Sequence, residues 1–192
     1  MSDPELDFDA RWLCPQEADE FFARLTSTLA FRQESVVLFG RSMPQPRLSL
    51  WMGDPEAVYR YSGRTFVPVP WDATVADLRH RTERAAEHAF NSVLLNLYRD
   101  GRDSMGYHAD DEPELGPEPV IASVSLGATR RFVLRPRKRR GSTPARELAL
   151  SHGSLLVMRG STQRAWVHGV PKEPAITAPR LNLTFRWIAP RT

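Results

Sequence analysis

Cysteine is almost absent from this chain, Cys14 being the only one. No internal disulfide can form, and a zinc site built on several thiolates is excluded. Lysine is nearly as scarce: of 26 basic residues only Lys138 and Lys172 are lysines, so arginine carries the positive charge. No apolar run is long enough to cross a bilayer. The opening Met1-Ser2-Asp3-Pro4-Glu5 is acidic and has no apolar targeting core, so a cytoplasmic location with no membrane contact is expected. Internal repeats, low-complexity segments and interdomain linkers are missing too. A chain of 192 residues suits a single domain, 1–192, with a sizeable core, and a monomer is expected.

What is present fits a soluble globular protein: 41% of residues are hydrophobic and 26% charged, which excludes a disordered chain. The net charge of +3 is basic without being extreme. Its placement says more, since Arg135-Pro136-Arg137-Lys138-Arg139-Arg140-Gly141 packs five cations into seven residues. Such a run is either a solvated loop or a phosphate-contacting one.

The hydrophobic pattern divides the chain in two. Pro15 opens a helix over 15–30, with acids in its first turns and Phe21, Phe22, Leu25 and Leu29 as an apolar stripe. Ser35 to Phe39 reads as a short strand, Leu48 to Met52 as another, and Tyr59 and Tyr61 share one face of an extended segment. Asp72 caps a second helix over 73–90. From Asn91 onward the period changes to short strands at 92–99, 105–110, 120–126, 131–135, 146–151, 154–159, 164–169 and 180–188. Eight short strands after two helices predict an α+β fold: a double-stranded β-helix (jelly-roll) core over about 91–190, with supporting helices and hairpins in about 1–90.

Chemistry concentrates in that second part. His108 and Asp110 stand two apart, so an extended backbone throws both to one face. An imidazole and a carboxylate so placed make two-thirds of a facial metal triad, and a second histidine completes it with positions left open. His168, after Trp166, is the candidate; His80 and His88 fall on the second helix and His152 in a turn. In the last strand Arg180, Asn182, Thr184 and Arg186 alternate with Leu181, Leu183, Phe185 and Trp187. In an ordinary sheet that is a surface strand. In a barrel with a ligand cavity it aims two guanidiniums at an acidic ligand, whose carboxylates match their planar fork. Asn96 and Tyr98 share a strand face in the same way.

Taken in order, Asn96-Leu97-Tyr98, His108-Ala109-Asp110, His168 and Arg180-Leu181-Asn182-Leu183-Thr184-Phe185-Arg186 resemble the AlkB family of iron(II)- and 2-oxoglutarate-dependent dioxygenases. The resemblance runs from about Val36 to Ile188. Tyr98-Arg99-Asp100-Gly101, Asp110-Asp111-Glu112, Ile121-Ala122-Ser123-Val124-Ser125-Leu126-Gly127 and His152-Gly153-Ser154-Leu155-Leu156 look like the members that repair double-stranded DNA.

The resemblance implies that His108, Asp110 and His168 hold Fe(II), with 2-oxoglutarate and O2 as co-substrates. Arg180 would contact one end of 2-oxoglutarate and Arg186 its other carboxylate, with Asn96, Tyr98 and Thr184 adding hydrogen bonds. The implied reaction is oxidative removal of alkyl groups from ring nitrogens, as in 1-methyladenine or 3-methylcytosine in DNA. Succinate, carbon dioxide and formaldehyde would be released. Such a base must be flipped out or already single-stranded. Tyr61 would stack on it opposite His108, with Tyr59 nearby and Glu112 at the base edge. Phe39 falls where duplex-acting relatives carry an apolar finger. Arg47 and the basic loop, with Arg137 and Arg139, would hold phosphates. Met52 stands where an aromatic is expected. A DNA substrate extends the expected location to the nucleoid, or to the nucleus in a eukaryote. An RNA substrate, or a protein or small-molecule substrate for the same chemistry, remains open. A non-enzymatic nucleic-acid-binding module ranks lowest, because all three ligands and both arginines are present.

Overall fold

The computed structural model describes residues 3–38, 41–61, 64–137 and 143–189. An edge strand β1 (Glu5–Asp9) precedes helix α1 (Pro15–Thr28). Pro15 sits in the first turn of α1, and Glu17 reaches back to accept the Cys14 backbone N–H at 3.3 Å. Strands β2 (Ser35–Leu38) and β3 (Arg41–Pro44) form a hairpin in which Leu38 pairs with Arg41. Next come β4 (Leu48–Gly53), β5 (Tyr59–Tyr61), β6 (Arg64–Phe66) and helix α2 (Ala73–Ala86). Asp72 caps α2, accepting the N–H groups of Thr74 and Val75 at 2.8 and 3.3 Å.

The second part is built of β7 (Ser92–Tyr98), β8 (Met105–His108), β9 (Ile121–Gly127), β10 (Arg130–Pro136), β11 (Arg146–Leu150) and β12 (Ser154–Arg159). A short helix α3 (Thr162–Ala165), β13 (Trp166–Val170) and β14 (Arg180–Arg186) complete it. All named strand pairs are antiparallel. One sheet runs β1-β12-β9-β14-β7-β4 and a second β11-β10-β13-β8, which is consistent with a jelly-roll core. No described helix is long and apolar enough to cross a membrane.

The alternation in β14 divides the molecule. Leu181, Leu183 and Phe185 are fully buried in one cluster with Leu25 of α1, Val75 and Leu78 of α2, and Val93 and Leu95 of β7. The opposite face of the same strand looks between the sheets, toward a second cluster holding Tyr98, Phe132, Leu134, Leu156 and Trp166. The polar residues of β14 are therefore inside the protein: Arg180 is 1% exposed and Arg186 5%. Gly127 closes β9 with φ +85, and a Cβ there would sit 2.5 Å from the Pro179 carbonyl oxygen.

Four features depart most from the sequence expectation. The second helix ends at Ala86, short of residue 90, because Glu87 turns left-handed (φ 48) and swings Phe90 into the core. The Phe90 N–H is then taken by Glu83 Oε1 at 2.9 Å. The segment 164–169 begins as α3 and becomes strand only at Trp166. Strand β8 stops at His108 instead of reaching residue 110. The acidic start also forms a strand, with Leu6 opposite Met158 and Phe8 opposite Leu156 in β12. Because an L-residue in the left-handed region is strained, Glu87→Gly is expected to raise unfolding stability by about 1 kcal/mol in a denaturant titration.

Candidate metal and dicarboxylate site

Register builds the site. In the antiparallel pairing of β8 with β13, His108 stands directly opposite His168, and their ring centroids are 4.4 Å apart. The His108 Nδ1–H donates to the Gly106 carbonyl at 2.9 Å, which leaves the Nε2 lone pair available as a ligand. Asp110 lies just past the end of β8. Its place is set by two contacts that a strand ladder would not supply: its N–H donates to Gln163 Oε1 at 3.0 Å, and its Oδ1 accepts from Arg186 Nη2 at 2.6 Å. Asp110 Oδ2 is buried without a hydrogen-bond partner and lies 3.7 Å from His168 Nε2.

One ligand atom from each of His108, Asp110 and His168 falls within 4.8 Å of the others. Two imidazoles and a carboxylate with an orphaned oxygen fit a divalent metal such as iron(II), bound on one face with open positions opposite. The electrostatics agree. Burial, with the charges of His108 and Arg186 nearby, pushes His168 down to about 3, so its imidazole is neutral and ready to ligate. Burial works against the Asp110 carboxylate, but Arg186 and the two histidines hold it down at about 2.

From this cluster a cavity runs between the sheets, lined by Asn96, Tyr98, Ser123, Arg180, Asn182 and Thr184 among others. Cross-strand pairs place them: Tyr98 opposite Arg180 and Asn96 opposite Asn182, with Ser123 opposite Thr184. Arg180 is wholly buried and lies against the Tyr98 ring, 5.2 Å from its centroid. Its Nη2 donates to Ser125 Oγ at 2.8 Å, while Nε and Nη1 are buried with no partner. Burial lowers its affinity for a proton, with the Arg130 charge adding to the effect. A desolvated guanidinium with two unused donors is fitted by a carboxylate. Arg186 differs, because its charge already faces Asp110 at the metal end. Thr184 lines the cavity, but its hydroxyl donates to Asn182 Oδ1 at 3.2 Å.

A recess adjoins the metal cluster on its other side, lined by Glu34, Gln45, Arg47, Trp51, Leu94 and Glu112 together with His108 and Asp110. Arg47, expected from the sequence to hold phosphate, lines this recess. It is 8% exposed, and its Nε donates to Asn96 Oδ1 at 2.9 Å. Met52, which stands where an aromatic is expected, packs in the helix-facing core, whereas Trp51, opposite Leu94, faces the recess. Glu112 Oε2 is buried there without a hydrogen-bond partner. Arg137 pairs at 2.7 Å with Asp111, the residue between Asp110 and Glu112. Tyr59 and Tyr61 lie on β5. Phe39 and Arg139 lie outside the described residues.

Gln45, Trp51, Ser123, Ser125, Arg130 and Gln163 were not anticipated. Strand alternation alone could have placed Trp51, Ser123 and Ser125. Nothing in the sequence marks Gln163 as the holder of Asp110. His152 is structural, accepting the Gly127 N–H at 2.8 Å, and His80 and His88 stay on or beside α2.

Comparison with known proteins bears on this geometry. Residues 8–186 match the model of the 2OG-Fe(II) oxygenase superfamily. The chain is 42% identical over 190 residues to alpha-ketoglutarate-dependent dioxygenase alkB homolog 3 of Bos taurus, covering 93% of this chain and 66% of that protein. It is 41% identical over 182 residues to DNA oxidative demethylase ALKBH2 of Mus musculus, covering 91% and 76%. It thus spans slightly under two-thirds of the length of the alkB homolog 3 relatives. Among solved structures, OsALKBH1 superimposes with a TM-score of 0.63 at 16% identity, covering 97% of this chain and 98% of that one.

Removing Arg186 strands a buried carboxylate. Arg186→Ala is expected to cost about 3–5 kcal/mol of stability in metal-free protein. Adding Mn(II) should restore part of that loss, because the metal takes over the charge of Asp110. Thermal melts with and without the ion check it. Unfolding returns His168 to an ordinary imidazole near 6.5. The stability of metal-free protein is therefore expected to be full above that pH and to fall as pH drops from about 6.5 toward 3.

Proposed function

The chain belongs to the AlkB family within the 2OG-Fe(II) oxygenase superfamily, and on that premise we propose that it removes alkyl groups oxidatively from ring nitrogens of DNA bases. One observation carries the reading: the residues of the His108–Asp110–His168 cluster line two adjoining cavities, one that also holds the buried Arg180 and one that also holds Trp51, Glu34 and Glu112. The buried donors of the first suit a dicarboxylate co-substrate, and the apolar walls and acids of the second suit a planar, positively charged base.

Iron(II), when bound with 2-oxoglutarate and O2, supplies the oxidation of the methyl carbon that water cannot accomplish by displacement. The protein contributes position and a dry setting. His108, Asp110 and His168 hold the metal; Arg186 keeps Asp110 ionised and aimed. Arg180 takes the far carboxylate of 2-oxoglutarate, supported by Tyr98, and Asn96 and Thr184 line its path. In the recess Trp51 and Leu94 offer apolar contact to a base, while Glu112 and Glu34 suit the positive charge of a ring methylated on its pairing edge. Once oxidised, the hydroxymethyl group leaves as formaldehyde without help from any side chain. Arg47 acts from within the recess, and Arg137 and Arg139 would meet phosphates. Tyr61 stacks on the base and Tyr59 lies beside it. Action as a monomer, and as one domain, is part of the same proposal.

The hairpin of β2 and β3 forms a sheet of its own, paired with no other described strand, and a finger at Phe39 is part of the proposal. A wedge of this kind fills the gap left by a flipped base.

Activity is tested with 1-methyladenine, 3-methylcytosine and ethenoadenine in single-stranded DNA, duplex DNA and RNA, following succinate and restored base together. Turnover on methylated DNA is expected, and His108→Ala, Asp110→Ala or His168→Ala should each abolish it. Succinate release that ignores every oligonucleotide would overturn the nucleic-acid substrate.

Phe39→Ala is expected to impair duplex repair far more than single-strand repair while barely moving the melting temperature. A core phenylalanine would instead cost about 3–5 kcal/mol and weaken both activities alike.

A further inference from the structure

Arg130 is among the largest fully buried side chains, at 1% exposure, and none of the roles above uses it. All of its hydrogen bonds go inward. Nε donates to Glu173 Oε2 at 3.1 Å, Nη1 to the Asp100 carbonyl at 3.2 Å, and Nη2 to the carbonyls of Asp103 and Pro171 at 2.9 and 2.7 Å. One guanidinium thus joins the start of β10 to the loop after β7 and to the loop after β13. Those two loops also pair with each other, Gly101 N–H to the Ile176 carbonyl and Glu173 N–H to the Gly101 carbonyl, both at 2.7 Å.

Its fifth contact points at the cavity. The Arg130 Cζ lies 5.6 Å from the centroid of the Tyr98 ring, the same ring that Arg180 lies against at 5.2 Å. Tying loops together does not call for a second buried cation at that place, since taking a guanidinium out of water is costly. Two cations against one aromatic ring, with the single carboxylate of Glu173 at 3.1 Å from Arg130, leave this end of the cavity positive.

We propose that Arg130 is a positioning residue for the co-substrate: it fixes Tyr98, and through Tyr98 the Arg180 fork, and its charge, trimmed by Glu173, sets how strongly a dicarboxylate is held. The inference rests on the reading of the cavity as the 2-oxoglutarate site. It assigns Glu173, 3.1 Å from Arg130 Nε, the part of a counter-charge that weakens the attraction.

The two residues are therefore expected to act with opposite sign. In calorimetric titration of 2-oxoglutarate into Mn(II)-loaded protein, which binds without turnover, Arg130→Met should raise Kd by about tenfold, as supporting residues around a site do. Mn(II) affinity should stay within about twofold of the parent, measured separately. Glu173→Gln keeps the hydrogen-bonding shape but frees the Arg130 charge, and should lower Kd by about threefold. A purely structural clamp predicts that both substitutions weaken binding or leave it alone. Should Arg130→Met not fold, Glu173→Gln decides, and an unchanged or raised Kd overturns the proposal. If the parent binds 2-oxoglutarate and neither variant differs from it, only this inference falls. If the parent binds none, the assignment of the cavity falls with it.

Discussion

The contact on which the site depends is the buried ion pair of Arg186 with Asp110, 2.6 Å long and almost wholly shielded from water. It joins the last strand of the larger sheet to the segment that follows an edge strand of the smaller one. Charge pairs of this kind are not a cheap source of stability, since desolvation offsets most of the attraction. What this pair supplies is orientation. It keeps Asp110 ionised despite its burial and leaves the other carboxylate oxygen, Oδ2, facing the histidines.

Around that pair the fold separates two kinds of interior. One face of the larger sheet is closed by α1 and α2 over an entirely hydrophobic cluster. The other face is lined by Asn96, Ser123, Arg180, Asn182 and Thr184, which bond one another or face the cavity. The strain of burying so many polar groups is relieved by networks such as Thr184 to Asn182 to Ser123. The helices therefore matter to the chemistry indirectly, by giving the sheet a firm back.

Much of this was legible from periodicity. The two-residue alternation of β14, the capping aspartate of α2 and the eight strands after residue 91 are local patterns, and local patterns survive in a sequence. The His108–Asp110 pair was visible for the same reason, though Asp110 owes its place to Gln163 and Arg186 rather than to strand geometry. What stayed hidden depended on partners distant in the chain. The burial of Arg47 was hidden because its acceptor, Asn96, belongs to another strand. Met52 drew attention that belonged to Trp51, one residue away and on the opposite face. The second helix stopped early because Glu87 adopts a conformation that usually announces itself with glycine or asparagine.

The pairing of β8 with β13 also has a consequence for how the protein is made. His108 and Asp110 are synthesised well before His168, and the arginine that steadies Asp110 comes later still, in β14. Contacts this distant in sequence close late in folding, after their loop entropy has been met by the surrounding sheets. A growing chain on the ribosome offers a metal only the two ligands of a His-x-Asp segment. A complete set of three ligands thus stands ready for a metal only once both sheets are in place around it.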